Sequence, residues 1–325
     1  MKKAFVTGAN GFVGSFLCEE LLRKGYTVYA LARKTSSLRW ISALPVKMIF
    51  GDVGRPESYK AALGECTHVF HVAGVTKGRT RRDYMEGNFE NTRLLVDAVL
   101  ETGEPRFVLV GSQAAYGPSA SLEPVTEEHP PRPLTWYGES KLMAQQYVRE
   151  KTGVLRAAIG CPPAVYGPRD TDVLQFFKTV KMGVIPQLQG KDRYASFIHA
   201  ADLARGLVLL GEHPGAVGET FFLTNPRPYA WSELSHITLD LLGRRGVTLP
   251  VPMALMKVIA GSADILNRFK KRPSIISSQK LIEMRQDFWV CSGKKAETTL
   301  GFKTETDIYD GIRETLEWYA QHGWL

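Results

Sequence analysis

Short runs of β-branched and aromatic residues alternate with helical apolar spacing through the first half of the chain. AFVTG at 4–8 leads into a helical pattern over 12–24, followed by TVYALA at 27–32, VKMIFGDV at 46–53, a short helix and THVFHVAG at 67–74. A long helical pattern over 84–101 then enters RFVLVGS at 106–112, and another over 136–152 enters VLRAAIG at 154–160. Such alternation predicts an α/β fold, a doubly wound parallel sheet covered by helices on both faces. Beyond Tyr166, prolines at 186, 214, 226, 228, 250, 252 and 273 break the rhythm. The expected division is residues 1–165 for the sheet domain and 166–325 for a smaller, mostly helical region. Within the latter, FIHAADLARGLVLL reads as a strand and helix, so about 194–213 is expected to return to the sheet. Near the end, Ile308, Ile312, Leu316 and Tyr319 fall at helical spacing and predict an amphipathic helix packed on the body.

Composition narrows the classes. With 44% hydrophobic and 23% charged residues the chain is globular, and no apolar run reaches the roughly 20 residues of a membrane span. The start, MKKAFVTGAN, enters a strand too soon for a signal peptide, so a cytoplasmic location is expected. Cys18, Cys66, Cys161 and Cys291 stand singly, without CxxC spacing or a nearby histidine, and read as buried thiols; no metal site is predicted. The net charge of +8 suits anionic cofactors or substrates as well as nucleic acid. The densest basic cluster, Arg268, Lys270, Lys271 and Arg272 with the single aromatic Phe269, is too short to predict a nucleic-acid partner.

The first candidate site is TGANGFVG, which ends the first strand and opens the first helix with Gly8, Gly11 and Gly14 at three-residue intervals. A pyrophosphate needs backbone N–H groups at close range, and the helix N-terminus adds partial positive charge. Asn10, Gly11, Phe12, Val13 and Gly14 are therefore expected to line a dinucleotide in a Rossmann domain. An acid at the end of the second strand would accept adenosine ribose hydroxyls, but that place is Ala32, followed by Arg33 and Lys34. Arginine pairs bidentately with phosphate, so NADP is expected as cofactor, with NAD the alternative. Asp52 and Val53 after the third strand are candidates for the adenine edge, and Ala73 and Gly74 after the fourth allow close approach.

The second is YGESK, which puts Tyr137 and Lys141 four residues apart on one helix face. A phenol titrates near 10, and an adjacent ammonium would lower that toward working pH. About 25 residues upstream, Ser112 ends the strand RFVLVGS, where its hydroxyl could bond a substrate oxygen beside Tyr137. These motifs, in this order, resemble the extended short-chain dehydrogenase/reductases, often called the NAD-dependent epimerase/dehydratase superfamily. The resemblance covers essentially the whole chain. It matches Gly8, Gly11 and Gly14, Asp52, Ala73 with Gly74, Ser112, Tyr137 and Lys141. It also matches Asn88 of an Asn-x-x-Gly-Thr signature, with Asn91 in the glycine's place, and the segment PPAVYGPRD. It implies that Tyr137 is the proton donor or acceptor, that Ser112 polarises a carbonyl, and that Lys141 lowers the tyrosine pKa and grips the ribose. Pro162 through Val165 would lie against the nicotinamide.

Departures from the pattern bear on substrate. Sugar-nucleotide 4,6-dehydratases resemble one another in carrying Thr-Asp-Glu where this chain has Ser112, Gln113 and Ala114. An Asn common in sugar-nucleotide enzymes is replaced by Ala164, and an Arg by Ala195, with Arg193 displaced by two. The chain is more similar to the dihydroflavonol reductase and 3β-hydroxysteroid dehydrogenase side, implying hydride transfer to or from a ketone or secondary alcohol. A nucleotide-sugar epimerase is the alternative. Thr76, Lys77, Arg169 and His199 are expected at the pocket entrance, with His199 more a structural residue than a base. The resemblance also implies a homodimer through the helices bearing Asn88 and Tyr137. The segment from Met253 to Arg272, apolar and then basic, reads as a lid or packing helix, with membrane-surface association less favoured.

Overall fold

The buried, β-branched runs of the first half form strands, and the amphipathic stretches between them form helices. The computed structural model describes residues 2–267 and 277–325. Strand β1 (Lys3–Thr7) passes through a glycine turn into helix α1 (Phe12–Arg23). Strands β2 (Thr27–Ala32), β3 (Lys47–Phe50) and β4 (His68–His71) precede helix α2 (Asn91–Thr102). Then come β5 (Arg106–Val110), helix α3 (Trp136–Glu150), β6 (Ala157–Cys161) and β7 (Ala164–Tyr166). The remainder contributes β8 (Phe197–His199), helix α4 (Ala200–Glu212), β9 (Thr220–Phe222), and helices α5 (Met253–Asn267), α6 (Ser278–Met284) and α7 (Ile308–Gln321).

Seven strands form one parallel sheet in the order β9-β6-β5-β4-β1-β2-β3. Its side chains alternate between two cores. Val6, Val28 and Val108 point toward α1 and α4, where Leu17, Leu21, Leu203 and Leu207 are buried. Phe5, Val69 and Phe107 point the other way, onto Leu95 and Val99 of α2 and Ala144 and Val148 of α3. Strand order reverses between β1 and β4, and the crevice beyond their C-terminal ends is where such sheets hold ligands. Thr7 pairs with His71 across that reversal, so the loops beginning at Gly8 and Val72 leave the sheet side by side.

The expected return of 194–213 to the sheet takes a different form. Helix α4 does come back, against α1, but β8 pairs with β7 in a separate two-stranded ribbon. Pro162 and Pro163 have no N–H to continue a ladder, so the chain leaves the sheet after Cys161 and takes β8 with it. The free edge of β6 is covered by β9, with Phe221 opposite Gly160. The main core also takes Ile198, Phe221, Leu223, Ala296 and Phe302 from beyond residue 165. The C-terminal body has its own core of Tyr166, Phe177, Phe197 and Leu234, closed by Ile308, Ile312, Leu316 and Tyr319 of α7.

All four cysteines are buried and free. Helix α5 leaves Leu255, Val258 and Ile259 exposed (51%, 65% and 38%), so it is not packed over its whole apolar face. The basic cluster at Arg268, Lys270, Lys271 and Arg272, with Phe269, lies outside the described residues. Among the described residues no helix is long and apolar enough to cross a membrane.

Candidate active site

At the strand-order reversal, Gly8 adopts φ +66°, and a Cβ there would stand 2.7 Å from the Ala73 backbone nitrogen. A Cβ on Gly14 would stand 2.1 Å from the Gly8 carbonyl oxygen. Both glycines are therefore required by the turn itself. Gly11 is the N-cap of α1 and brings no side chain to its first turn, so the N–H groups of Phe12, Val13 and Gly14 are not capped from within. This glycine-lined helix start fits a dinucleotide pyrophosphate. Asn10 lies beside it, its Nδ2 donating to the Ser37 carbonyl at 3.0 Å.

Arg33 and Lys34 follow β2 as exposed side chains, and neither is held by an ion pair among the described residues. Asp52 closes its own turn by accepting from the Gly54 N–H at 2.9 Å, and the Val53 carbonyl accepts from the Tyr59 hydroxyl. Val75, just past Gly74, is fastened by Asn88. Asn88 Oδ1 accepts from the Val75 N–H at 2.7 Å, and its Nδ2 donates to the Val75 carbonyl at 3.0 Å and to the Ser140 hydroxyl at 2.9 Å. Asn88 stands in a π-helical turn (Met85–Glu90) ahead of α2. One residue so joins the loop after β4 to the helix bearing Tyr137.

Ser112, just past the end of β5, and Tyr137, in the first turn of α3, are neighbours, close enough for the serine hydroxyl to pull the phenol's titration down. Gly138 makes the approach possible, because a Cβ there would lie 2.3 Å from the Ala114 carbonyl. One turn on, Lys141 Nζ donates to the Val110 carbonyl at 2.9 Å and lies 3.3 Å from where a Cβ on Gly74 would be. The ammonium thus stands between the end of β5 and the loop after β4. Burial pushes the Tyr137 phenol up to about 12, and the neighbouring Ser112 hydroxyl opposes it. Burial also pushes Lys141 down, to about 8. The Lys141 ammonium, expected to lower the phenol, is held at the Val110 carbonyl.

Pro162 accepts from the Gln113 N–H at 3.0 Å, which holds it beside Ser112, and Val165 lies half-buried on the ribbon strand β7. The residues expected at the pocket entrance separate. Thr76 is exposed, and Lys77 is ion-paired with Asp172. Arg169, at φ +75°, donates to Ser15 Oγ at 2.9 Å and Glu19 Oε1 at 2.7 Å and stacks on Phe16. It is bound to α1 instead of being free for a substrate. His199 is buried edge-on to Phe16 and Tyr166, and burial pushes it down to about 4, so it is neutral at physiological pH.

Sequence reasoning missed three features. His71 bridges Thr7 (2.7 Å) and Thr92 (3.0 Å), while Thr7 accepts from the Ala73 N–H and Thr92 donates to the Asn88 carbonyl. The two glycine-side loops are thereby tied through a buried imidazole, pushed down to about 3 by burial. Tyr84 packs edge-on to Tyr137 with centroids 6.3 Å apart. Helix α6, far along the chain, reaches the start of α3. Proximity to the glycine motifs was the only signal for His71, and there was none for α6. A separate cavity of about 540 Å³ opens at the N-terminal strand ends, lined by Thr67, His68 and Arg106. Arg106 is committed there to the Leu210 and His213 carbonyls.

A Rossmann sheet with a glycine-lined helix start and a neighbouring Ser-Tyr-Lys set defines a nucleotide-dependent enzyme class. Within that class, residues 4–223 match the NAD dependent epimerase/dehydratase family, and the chain belongs to it. It is 28% identical to a ceramide reductase of Caulobacter vibrioides over 98% of this chain and 95% of that one. It is 27% identical to a 4-hydroxy-2-methyl-3-oxo-4-farnesyl-3,4-dihydroquinoline-1-oxide ketoreductase of Stigmatella aurantiaca, over 82% and 81% of the two chains. Among solved structures it is similar to gox2253, with a TM-score of 0.84, 26% identity and all of both chains covered.

Proposed function

We propose that this enzyme reduces a ketone on a long, largely apolar molecule, with NADP preferred over NAD. The observation that carries the reading is the convergence of Ser112, Tyr137 and Lys141 past the end of β5, with the lysine one helical turn on from the phenol and turned toward the glycine-side loops. Held over the glycine turn of Gly8, Gly11 and Gly14, a reduced nicotinamide dinucleotide would supply the hydride that the carbonyl carbon takes up. Ser112 donates a hydrogen bond to the carbonyl oxygen, Tyr137 delivers its phenolic proton to that oxygen, and solvent then reprotonates the phenolate. Burial keeps the phenol protonated at neutral pH, the state from which it can donate to the carbonyl oxygen. Lys141 would hold the ribose hydroxyls, and Arg33 with Lys34 would receive the 2′-phosphate.

The apolar substrate is supported by two kinds of observation. The relatives described above are reductases named for ceramide and for a farnesylated quinoline. On this chain, Arg193 is not free for a sugar diphosphate, because its guanidinium donates to the Leu188 and Lys191 carbonyls and faces Asp287 at 3.6 Å. Gln113, Ala114, Ala164 and Ala195 likewise offer no acid pair or cation. The reading includes a cytoplasmic homodimer paired through α2 and α3, which light scattering with α2-face variants would test. The reaction itself is tested by incubating the protein with NADPH and a long-chain 3-oxo amide. Net loss of nicotinamide absorbance and an alcohol product are expected. Tightly held dinucleotide, no net oxidation and an epimerised UDP-sugar would instead favour the epimerase alternative.

A further inference from the structure

The first turn of any helix leaves backbone N–H groups without intrahelical partners. In α3 the N-cap Thr135 accepts from the Gly138 N–H at 3.2 Å, which satisfies one. The Trp136 N–H, adjacent to Tyr137, is satisfied from outside: it donates to Gln279 Oε1 at 3.0 Å, from a residue 143 positions later on α6. On the same face of α6, Glu283 Oε1 accepts from the Thr135 hydroxyl at 3.3 Å, and Glu283 Oε2 accepts from Lys280 Nζ at 2.8 Å. Two side chains one helical turn apart thus grasp the two residues that precede the phenol.

Helix α6 is itself fixed in the C-terminal region. Asp264 of α5 accepts from the Ser278 N–H at 3.2 Å and from its hydroxyl, and the Glu283 carbonyl accepts from Trp289 Nε1 at 2.8 Å. Tyr84 packs against Tyr137, so the ring stands among Ser112, Tyr84, Cys161 and the carboxylate of Glu283. Glu283 in turn faces Lys280, Thr135 and Tyr84.

We propose that Gln279 and Glu283 are positioning residues, forming from another part of the chain the cap that sets where Tyr137 stands. The inference rests on the reading of Tyr137 as the proton donor. It gives the C-terminal region a part in the chemistry, because α6 aligns the acid, and replacement of α6 then alters turnover.

The test uses the full chain with NADPH bound and tyrosines labelled with carbon-13 at Cζ, the Tyr137 signal being assigned by its loss in Tyr137→Phe. Gln279→Met keeps the bulk and removes the acceptor. It is expected to speed amide exchange at Trp136 about tenfold, to move the Tyr137 signal, and to leave NADPH affinity within about twofold. With a reducible 3-oxo amide, kcat falls about tenfold while KM changes little. Glu283→Ala gives the same signature, and Glu283→Gln, which keeps an acceptor oxygen for Thr135, recovers most of the loss. Unchanged Trp136 exchange and an unmoved Tyr137 signal in both Gln279→Met and Glu283→Ala would overturn the proposal. If a variant failed to fold, the melting curve would show it and the other variant would decide. Failure of the native enzyme to reduce any ketone would refute the proposed reaction, but would leave the exchange and carbon-13 results to judge the cap separately.

Discussion

Tyr137 and Lys141 share one helix face, yet burial moves their titrations apart, the phenol up to about 12 and the ammonium down to about 8. The lysine shift carries a stability consequence with a definite sign. Below about pH 8 the folded state bears the full cost of a buried charge. Between about 8 and the ordinary value of 10.5 the unfolded chain binds more protons, so stability from this group rises with pH. Lys141→Met is therefore expected to melt above the native protein at pH 7, with the gap closing as pH rises through that window, while turnover is lost. Thermal melts across pH check this, and a Lys141→Met protein that melts well below the native one at pH 7 would refute it. At the cofactor end, Arg33→Ala is expected to weaken NADPH binding about tenfold and leave NADH nearly unchanged, as calorimetry would show. Equal losses for both would remove the basis for an NADP preference.

Glycines carry the site at the level of elements. A Cβ on Gly14 meets the Gly8 carbonyl at 2.1 Å, a backbone atom that cannot swing away. Gly14→Ala is expected to cost at least about 2 kcal/mol in urea unfolding and to abolish dinucleotide binding. These positions were legible in the sequence because a turn that excludes side chains must be written in glycine. Ser112, Tyr137 and Lys141 were legible for a similar reason: a strand end and one helical turn fix their relation locally. The partners from α6 were not, since Gln279 and Glu283 meet α3 only through the tertiary path of an irregular, proline-interrupted region. Arg169 was misleading because an arginine beside a motif reads as a ligand contact, whereas Glu19, Ser15 and the Phe16 ring claim it.

The whole molecule shows why a boundary at residue 165 is one of sequence more than of packing. Strand alternation revealed six strands of the sheet, but β9 is only three residues long, too short to show a period, and it covers the edge left open when Pro162 turns the chain away. A fragment ending at 165 would expose Val108 and Ala158 where Leu203, Leu207 and Phe221 now pack. It is expected to lack a cooperative melt by circular dichroism, and a sharp native-like transition would show the N-terminal unit to be self-sufficient. The same joined core keeps the glycine-side loops, Tyr137 and helix α6 in one frame. That frame is tested most directly by a single turnover with NADPH deuterated at the transferred position and a long-chain 3-oxo amide. Deuterium should appear on the carbinol carbon, and Tyr137→Phe should still bind NADPH yet transfer at least about 100-fold more slowly. Transfer at the native rate without the phenol, or no deuterium in the alcohol, would contradict the account.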